Sequence, residues 1–178
     1  MDAIEAIMTR RSVRRYSGQS IGDEQLQTIL KAGMSGPSCV NARDWSFIVV
    51  RDRETLIRMA EANGRPAEPL KQADVGILIC GDLERAFKHA PEYWVIDGAI
   101  AAQNMTLAAH ALGIGSVWLG TWPQMDRVER QVELFQLPET AVPHSILALG
   151  IPSDEEMDGE RARTKPEWEA DRVHCEKW

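Results

Sequence analysis

Three short stretches of this chain hold residue types that could bind a ligand. The first is TRRSVRRY, residues 9 to 16, which sets Arg10, Arg11, Arg14 and Arg15 within six positions and places Ser12 among them. Guanidinium forks match phosphate oxygens bidentately, and a serine hydroxyl adds a neutral donor. The second is Pro37-Ser38-Cys39-Val40-Asn41. A hydroxyl and a carboxamide both donate and accept, as the pyrimidine edge of a flavin or a nucleobase requires. The third is Trp118-Leu119-Gly120, where a strand ending in glycine exposes backbone amides to a flat ligand. Taken singly, a helix end, a turn and a strand end account for the three stretches almost as well.

The bulk composition narrows the chemistry. The chain has 178 residues, 44% hydrophobic and 26% charged, which suits one soluble domain spanning 1–178. Its formal net charge is −7, so the basic run stands against an acidic background and a general nucleic-acid binder is excluded. Cys39, Cys80 and Cys175 are odd in number and show no C-x-x-C spacing, which predicts a reducing cytoplasm and no metal site. Asp2 and Glu5 occupy the region where a secretory signal would be basic. From Gly98 to Met125 no residue is acidic or basic apart from His110, but Gln103, Asn104 and three glycines argue for a buried helix and a strand rather than a membrane span. GIGSVWLG has glycines at the wrong spacing for a dinucleotide loop and precedes a strand. The four histidines are scattered and read as structural, so no side chain is assigned as a catalytic acid or base.

The surrounding pattern predicts alternating helices and strands. Asp2 caps a short amphipathic helix ending near Arg11, and a second helix runs from about Asp23 with Leu26, Ile29 and Leu30 inward. SFIVV (46–50) reads as a strand, ETLIRMAEA (54–62) as a helix, and NGRPAEPL as a break. VGILIC (75–80) is a continuous apolar run, as expected of a central strand buried on both faces. Residues 92 to 112 form an alanine-rich helix, apolar around most of its circumference, which must be covered by its own chain or by a partner subunit. SVWLG (116–120), MDRVERQVELF (125–135) and HSILALG (144–150) follow as strand, helix and strand. After Pro152 the chain is densely charged, with isolated apolar residues at Trp168, Val173 and Trp178, and reads as an arm that lies on something.

In this order, RRSVRRY, the P-S-x-x-N loop, the helix carrying Gln103-Asn104, GIGSVWLG and the terminal RVHxxKW resemble the nitroreductase family of FMN-dependent enzymes. The resemblance spans essentially the whole chain. It implies an α+β fold with a central mixed sheet flanked by helices, in an intertwined homodimer whose C-terminal arm (152–178) packs on the partner subunit. It also implies FMN at the subunit interface and NADH or NADPH as electron donor, with a small nitroaromatic, quinone or similar acceptor and no nucleic acid or membrane. Arg10, Arg11, Ser12 and Arg14 would hold the phosphate and ribityl chain. Pro37, Ser38 and Asn41 would reach the ring from the other subunit, and the Trp118-Leu119-Gly120 strand end would offer the Leu119 and Gly120 amides near flavin N5 and O4. Arg163 and Lys165 would return to the phosphate. A protein of the same fold that binds flavin or another phosphorylated ligand without turnover is the alternative.

Overall fold

A computed structural model describes residues 1–158 and 167–178. Four strands, β1 (Trp45–Val50), β2 (Val75–Asp82), β3 (Gly115–Gly120) and β4 (Ala141–Gly150), form one sheet in the order β1-β2-β4-β3. Alternation along the two central strands divides the core. Ile77 and Ile79 of β2 and Leu147 and Leu149 of β4 face Ile29 of α2 (Asp23–Met34) and Ala102, Met105 and Ala109 of α4 (Tyr93–Ala111). Leu78, Cys80, Ile146 and Ala148 point the other way. They meet Leu56 and Met59 of α3 (Arg53–Asn63) and Leu70 of the 3-10 turn Arg65–Lys71. β2 is buried from Val75 through Gly81, as its continuous apolar run predicts.

Local chemistry sets the ends of the helices. Asp2 caps α1 (Ala3–Thr9) by accepting from the Glu5 N–H at 2.9 Å, and Asp52 caps α3 by accepting from the Thr55 N–H at 2.8 Å. The helix α5 (Met125–Phe135) closes on Gln136 in the left-handed region, φ 51°. A short helix α6 (Asp154–Asp158) follows β4.

The architecture is α+β, and three details differ from expectation. The strands of one chain pair antiparallel throughout; the parallel component is the single bridge between Ser12 and Ser116. Helix α1 stops at Thr9, because Arg10 turns extended (φ −58°, ψ 132°) and the chain then joins β3. β4 begins at Ala141 and runs through Pro143, which lies where the register with β2 shifts between Ile79 and Cys80. A proline without an N–H is tolerated at such an irregularity.

Helix α4 is covered on one side only. Trp94, Ala101, Met105 and Ala109 are buried, whereas Ile96 is 53% exposed. Val95, Ile96, Ala99, Ile100, Gln103 and Asn104 line an open apolar groove of about 560 Å³. Ile4, Ile7 and Met8 of α1, which touches α4, are exposed as well. Residues 167–178 are exposed throughout, Trp168 and Trp178 included. Arg163 and Lys165 lie outside the described residues. No described helix is long and apolar enough to cross a membrane.

Candidate functional site

The basic stretch leaves α1 and lies along the outer edge of β3. Ser12 bridges Ser116, and the Val13 N–H donates to the Ser116 carbonyl at 2.8 Å. Tyr16 fixes the far end: its buried hydroxyl donates to the Val13 carbonyl (2.9 Å) with the Ala148 carbonyl also within 3.1 Å. Burial pushes this phenol far above its ordinary pKa, so it stays a neutral donor. Gly115 permits the close approach. A Cβ there would sit 2.6 Å from Val13 Cγ1 and 3.1 Å from Pro152 Cγ. Gly115→Ala is therefore expected to lower stability by about 1–3 kcal/mol through overpacking. A thermal melt would show it as a fall of about 2–4 °C per kcal/mol.

Held this way, the four arginines have different partners. Arg11 donates from Nη2 to the Glu156 carbonyl at 2.7 Å and pairs through Nη1 with its carboxylate at 3.2 Å. Arg15 pairs with Glu155 at 2.5 Å. Among the described residues no carboxylate pairs with Arg10 or Arg14. The nearest acceptor for Arg14 is the Ser12 carbonyl, at a long 3.5 Å.

The same strand edge continues past Ser116. Its carbonyl points to Val13, and the Gly120 carbonyl points to Asn63 and Arg127. Alternation in an antiparallel ladder then turns the main-chain groups of Ser116, Trp118 and Gly120 away from β4 and those of Val117 and Leu119 toward it. The amide offered on the open edge is thus that of Gly120. Leu119 turns its amide into the ladder and buries its side chain, so it does not share that edge. Nothing lies within 4 Å of the place a Gly120 Cβ would take, so a flat group can approach the backbone there. Four residues separate Ser116 from Gly120, about 13 Å of strand with cations at one end and a free N–H at the other.

The Pro37–Asn41 loop is elsewhere. It precedes β1, which two strands separate from β3, so about 14 Å of sheet, three strand spacings, lies between it and Gly120 in the same chain. The Arg43 N–H donates to Ser38 Oγ at 2.9 Å, and Val40 and Asn41 take left-handed φ values of 46° and 57°. A β-branched residue there is strained, and Val40 is 70% exposed at the loop tip. Beneath the loop, the carboxyls of Asp44 and Asp97 are both buried. Asp97 Oδ2 accepts from the Cys39 N–H at 2.9 Å, and among the described residues neither oxygen of Asp44 has a hydrogen-bond partner.

The family pattern of the nitroreductases matches residues 7–96 and 63–151, which include the basic stretch, the loop and the β3 edge. The chain belongs to the nitroreductase family. A Methanothermobacter thermautotrophicus protein named as an NADH dehydrogenase/NAD(P)H nitroreductase is 44% identical over all of this chain and 88% of its own length. An FMN reductase [NAD(P)H] of Bacillus subtilis is 31% identical over 86% of this chain and 67% of its own. A nitroreductase of Desulfovibrio desulfuricans solved in complex with FMN superimposes with a TM-score of 0.80 at 28% identity, covering 100% of this chain and 98% of that one.

Within this nitroreductase-family chain, Arg10, Ser12, Arg14, Trp118 and Gly120 come together on one edge, with Arg11 beside them but engaged by Glu156. Pro37, Ser38 and Asn41 do not reach that edge in the same chain. Of the ring-bearing residues near it, Trp94 and His144 are buried. Trp94 meets Trp122 edge-on at 5.2 Å, and His144 packs between Trp94 and Trp118 at 5.9 Å from each. The His144 Nδ1 lies 2.8 Å from Ser145 Oγ, and burial pushes the imidazole below its ordinary pKa, so the ring packs as a neutral group. Sequence reasoning missed Asn63 and Arg127, both bound to the Gly120 carbonyl. Asn63 sits in a breaker-rich NGRPAEPL segment and Arg127 on an otherwise ordinary amphipathic helix, so no local signal separates them from a cap and a surface charge.

Proposed function

We propose that this chain takes a hydride from NADH or NADPH onto a bound FMN and passes it, in ping-pong order, to a nitroaromatic, quinone or similar small acceptor. The coarser class, an FMN-dependent NAD(P)H oxidoreductase, follows from the family and the names of its relatives. The single observation that carries the finer reading is the β3 edge. Two arginines that pair with no carboxylate among the described residues and a serine hydroxyl stand at one end of it, and the Gly120 N–H, beside an open Cβ position, stands at the other. This donor set fits a ligand with a phosphate at one end and a planar acceptor ring at the other.

FMN supplies the two-electron chemistry when bound. Arg10, Ser12 and Arg14 hold its phosphate end, and Gly120 donates its amide to the ring edge at N5. The Pro37, Ser38 and Asn41 contacts come from a second copy. Two chains meeting through α1 and α4 cover the exposed Ile4, Ile7 and Ile96 and the half-buried Ile100, and carry each loop to the other's β3 edge. Pro152, Glu155 and Glu156 stay on their own chain, so the part of the arm that lies on the partner is residues 167–178, with Trp168 and Trp178 exposed, and Arg163 and Lys165 are the cations assigned to the phosphate. No side chain acts as a base, since the cofactor accepts hydride directly and the three free thiols suit a cytoplasmic setting.

The experiment is spectroscopic. The purified protein should be yellow or bind added FMN, and anaerobic NADH or NADPH should bleach it, with oxidant restoring the colour. A yellow protein that neither nicotinamide bleaches would overturn the enzymatic reading and leave a flavin-binding module.

A further inference from the structure

A polar clamp, buried on its Asn63 side and open on its Arg127 side, holds the end of β3. The Gly120 carbonyl accepts two hydrogen bonds, from Asn63 Nδ2 at 3.1 Å and from Arg127 Nη1 at 2.9 Å. Asn63, the last residue of α3, is fully buried, and its Oδ1 accepts from Thr121 Oγ1 at 2.8 Å. Thr121 is fully buried too, and its N–H points to the His144 carbonyl at 3.3 Å. Both ends of the Asn63 carboxamide are used, which fixes its orientation and ties α3, β3 and α5 together at one atom.

Two features say that this clamp does more than hold the fold. Gly120 is the residue type with the greatest backbone freedom, and no side chain or backbone packs against its Cβ position, so the clamp is what fixes the Gly120–Thr121 peptide plane, while the Gly120 N–H belongs to the preceding plane, set by the Leu119 carbonyl in the β3–β4 ladder. Arg127 also stands in the first turn of α5, where a cation opposes the helix dipole. Its guanidinium is spent on a main-chain carbonyl although the carboxylate of Asp126 is its neighbour in sequence, and Asp126 pairs instead with Arg130.

We infer that Asn63 and Arg127 are positioning residues for flavin reduction: they hold the Gly120 carbonyl on the same open edge as its N–H, which keeps the strand end in place, and Arg127 sets a positive charge beside the ring edge that gains electrons. The inference rests on the proposed contact between Gly120 and flavin N5. Electron gain at the ring builds negative charge, so an aligned donor and a nearby guanidinium favour the reduced form over the oxidised one. Thr121 acts one step further out, by holding Asn63.

The test compares the affinities for oxidised and reduced FMN, read together as the midpoint potential of the bound flavin. Arg127→Met keeps the length of a partly exposed side chain and removes the charge. It should weaken reduced FMN about tenfold more than oxidised FMN, a shift of about 30 mV to lower potential for a two-electron couple. Arg127→Lys should recover part of the shift. Thr121→Val, which frees Asn63 without removing it, should move the potential the same way by less. An unchanged potential in an Arg127→Met protein that still binds FMN overturns the inference. A separate arm checks its foundation. The wild type should bind 5-deaza-FMN, which lacks the N5 acceptor, more weakly than FMN. Equal binding of the two would remove the Gly120 contact, and the inference with it, whatever the Arg127 variants do.

Discussion

Replacing Arg10 and Arg14 together by alanine is expected to strip FMN from the protein while leaving it folded. The two side chains leave the same short segment along β3, and no described carboxylate competes for either of them. A charge-assisted contact to a phosphate is worth about 1.5–3 kcal/mol, so losing two should weaken FMN by roughly 10²–10⁴-fold. Stability should hardly move, because neither arginine makes a close bond that the fold uses. Fluorescence titration of the apoprotein measures the first effect and a thermal melt the second. Riboflavin provides the internal control. It lacks the phosphate, so its weaker binding should be the same in the double variant as in the wild type. Full FMN occupancy in Arg10→Ala/Arg14→Ala would put the phosphate elsewhere. Arg11→Ala is the contrasting case, since its guanidinium holds Glu156 through both the carboxylate and the carbonyl. It should disturb the junction with α6 before it disturbs the cofactor.

What could be read from the residues divides along a physical line. β2 and α5 were legible because a buried strand and an amphipathic helix write their environment into local periodicity, and Asp2 was legible because capping is local. The strand order β1-β2-β4-β3 was not, since pairing between distant segments leaves no local mark. Nor was the end of α1 at Thr9. Arg10 and Arg11 are good helix formers, and only the docking of Val13 against Ser116 pulls the chain out of the helix. The candidate site shows the same split. Arg10, Ser12 and Arg14 stand out by residue type. Which strand amide faces the open edge depends on the ladder, and the ladder assigns that edge to Gly120 and turns Leu119 inward. Asn63, Thr121 and Arg127 meet only in three dimensions.

The buried carboxyls under the Pro37–Asn41 loop carry the last expectation, a gain in stability from removing a charge. Asp44 is fully buried, and among the described residues neither of its oxygens has a hydrogen-bond partner. Two neighbouring buried carboxyls resist ionising together, and Asp97 already receives the Cys39 N–H, so the one that keeps its proton is Asp44. Burial, followed by the charge of Asp97, raises Asp44 from an ordinary 3.8 to about 6, with Asp82 adding in the same direction. A raised carboxyl favours folding only while it stays protonated. Stability from this group is therefore full below about pH 4, falls as pH rises toward 6, and stays low above it. Asp44→Asn supplies a neutral group of the same shape whose amide can donate to Asp97 at every pH. At pH 8 it should be more stable than the wild type by about 1–2 kcal/mol, seen as a rise in Tm of roughly 2–8 °C. At pH 4 the gain should vanish, because the wild type then holds its own proton. Equal melting temperatures for the two proteins at pH 8 would show that the ionised Asp44 carboxylate costs the fold nothing. The loop it underlies is the one proposed to reach the partner's flavin. Loosening of the pair above pH 6 should thus be felt as weaker FMN retention in the wild type than in Asp44→Asn.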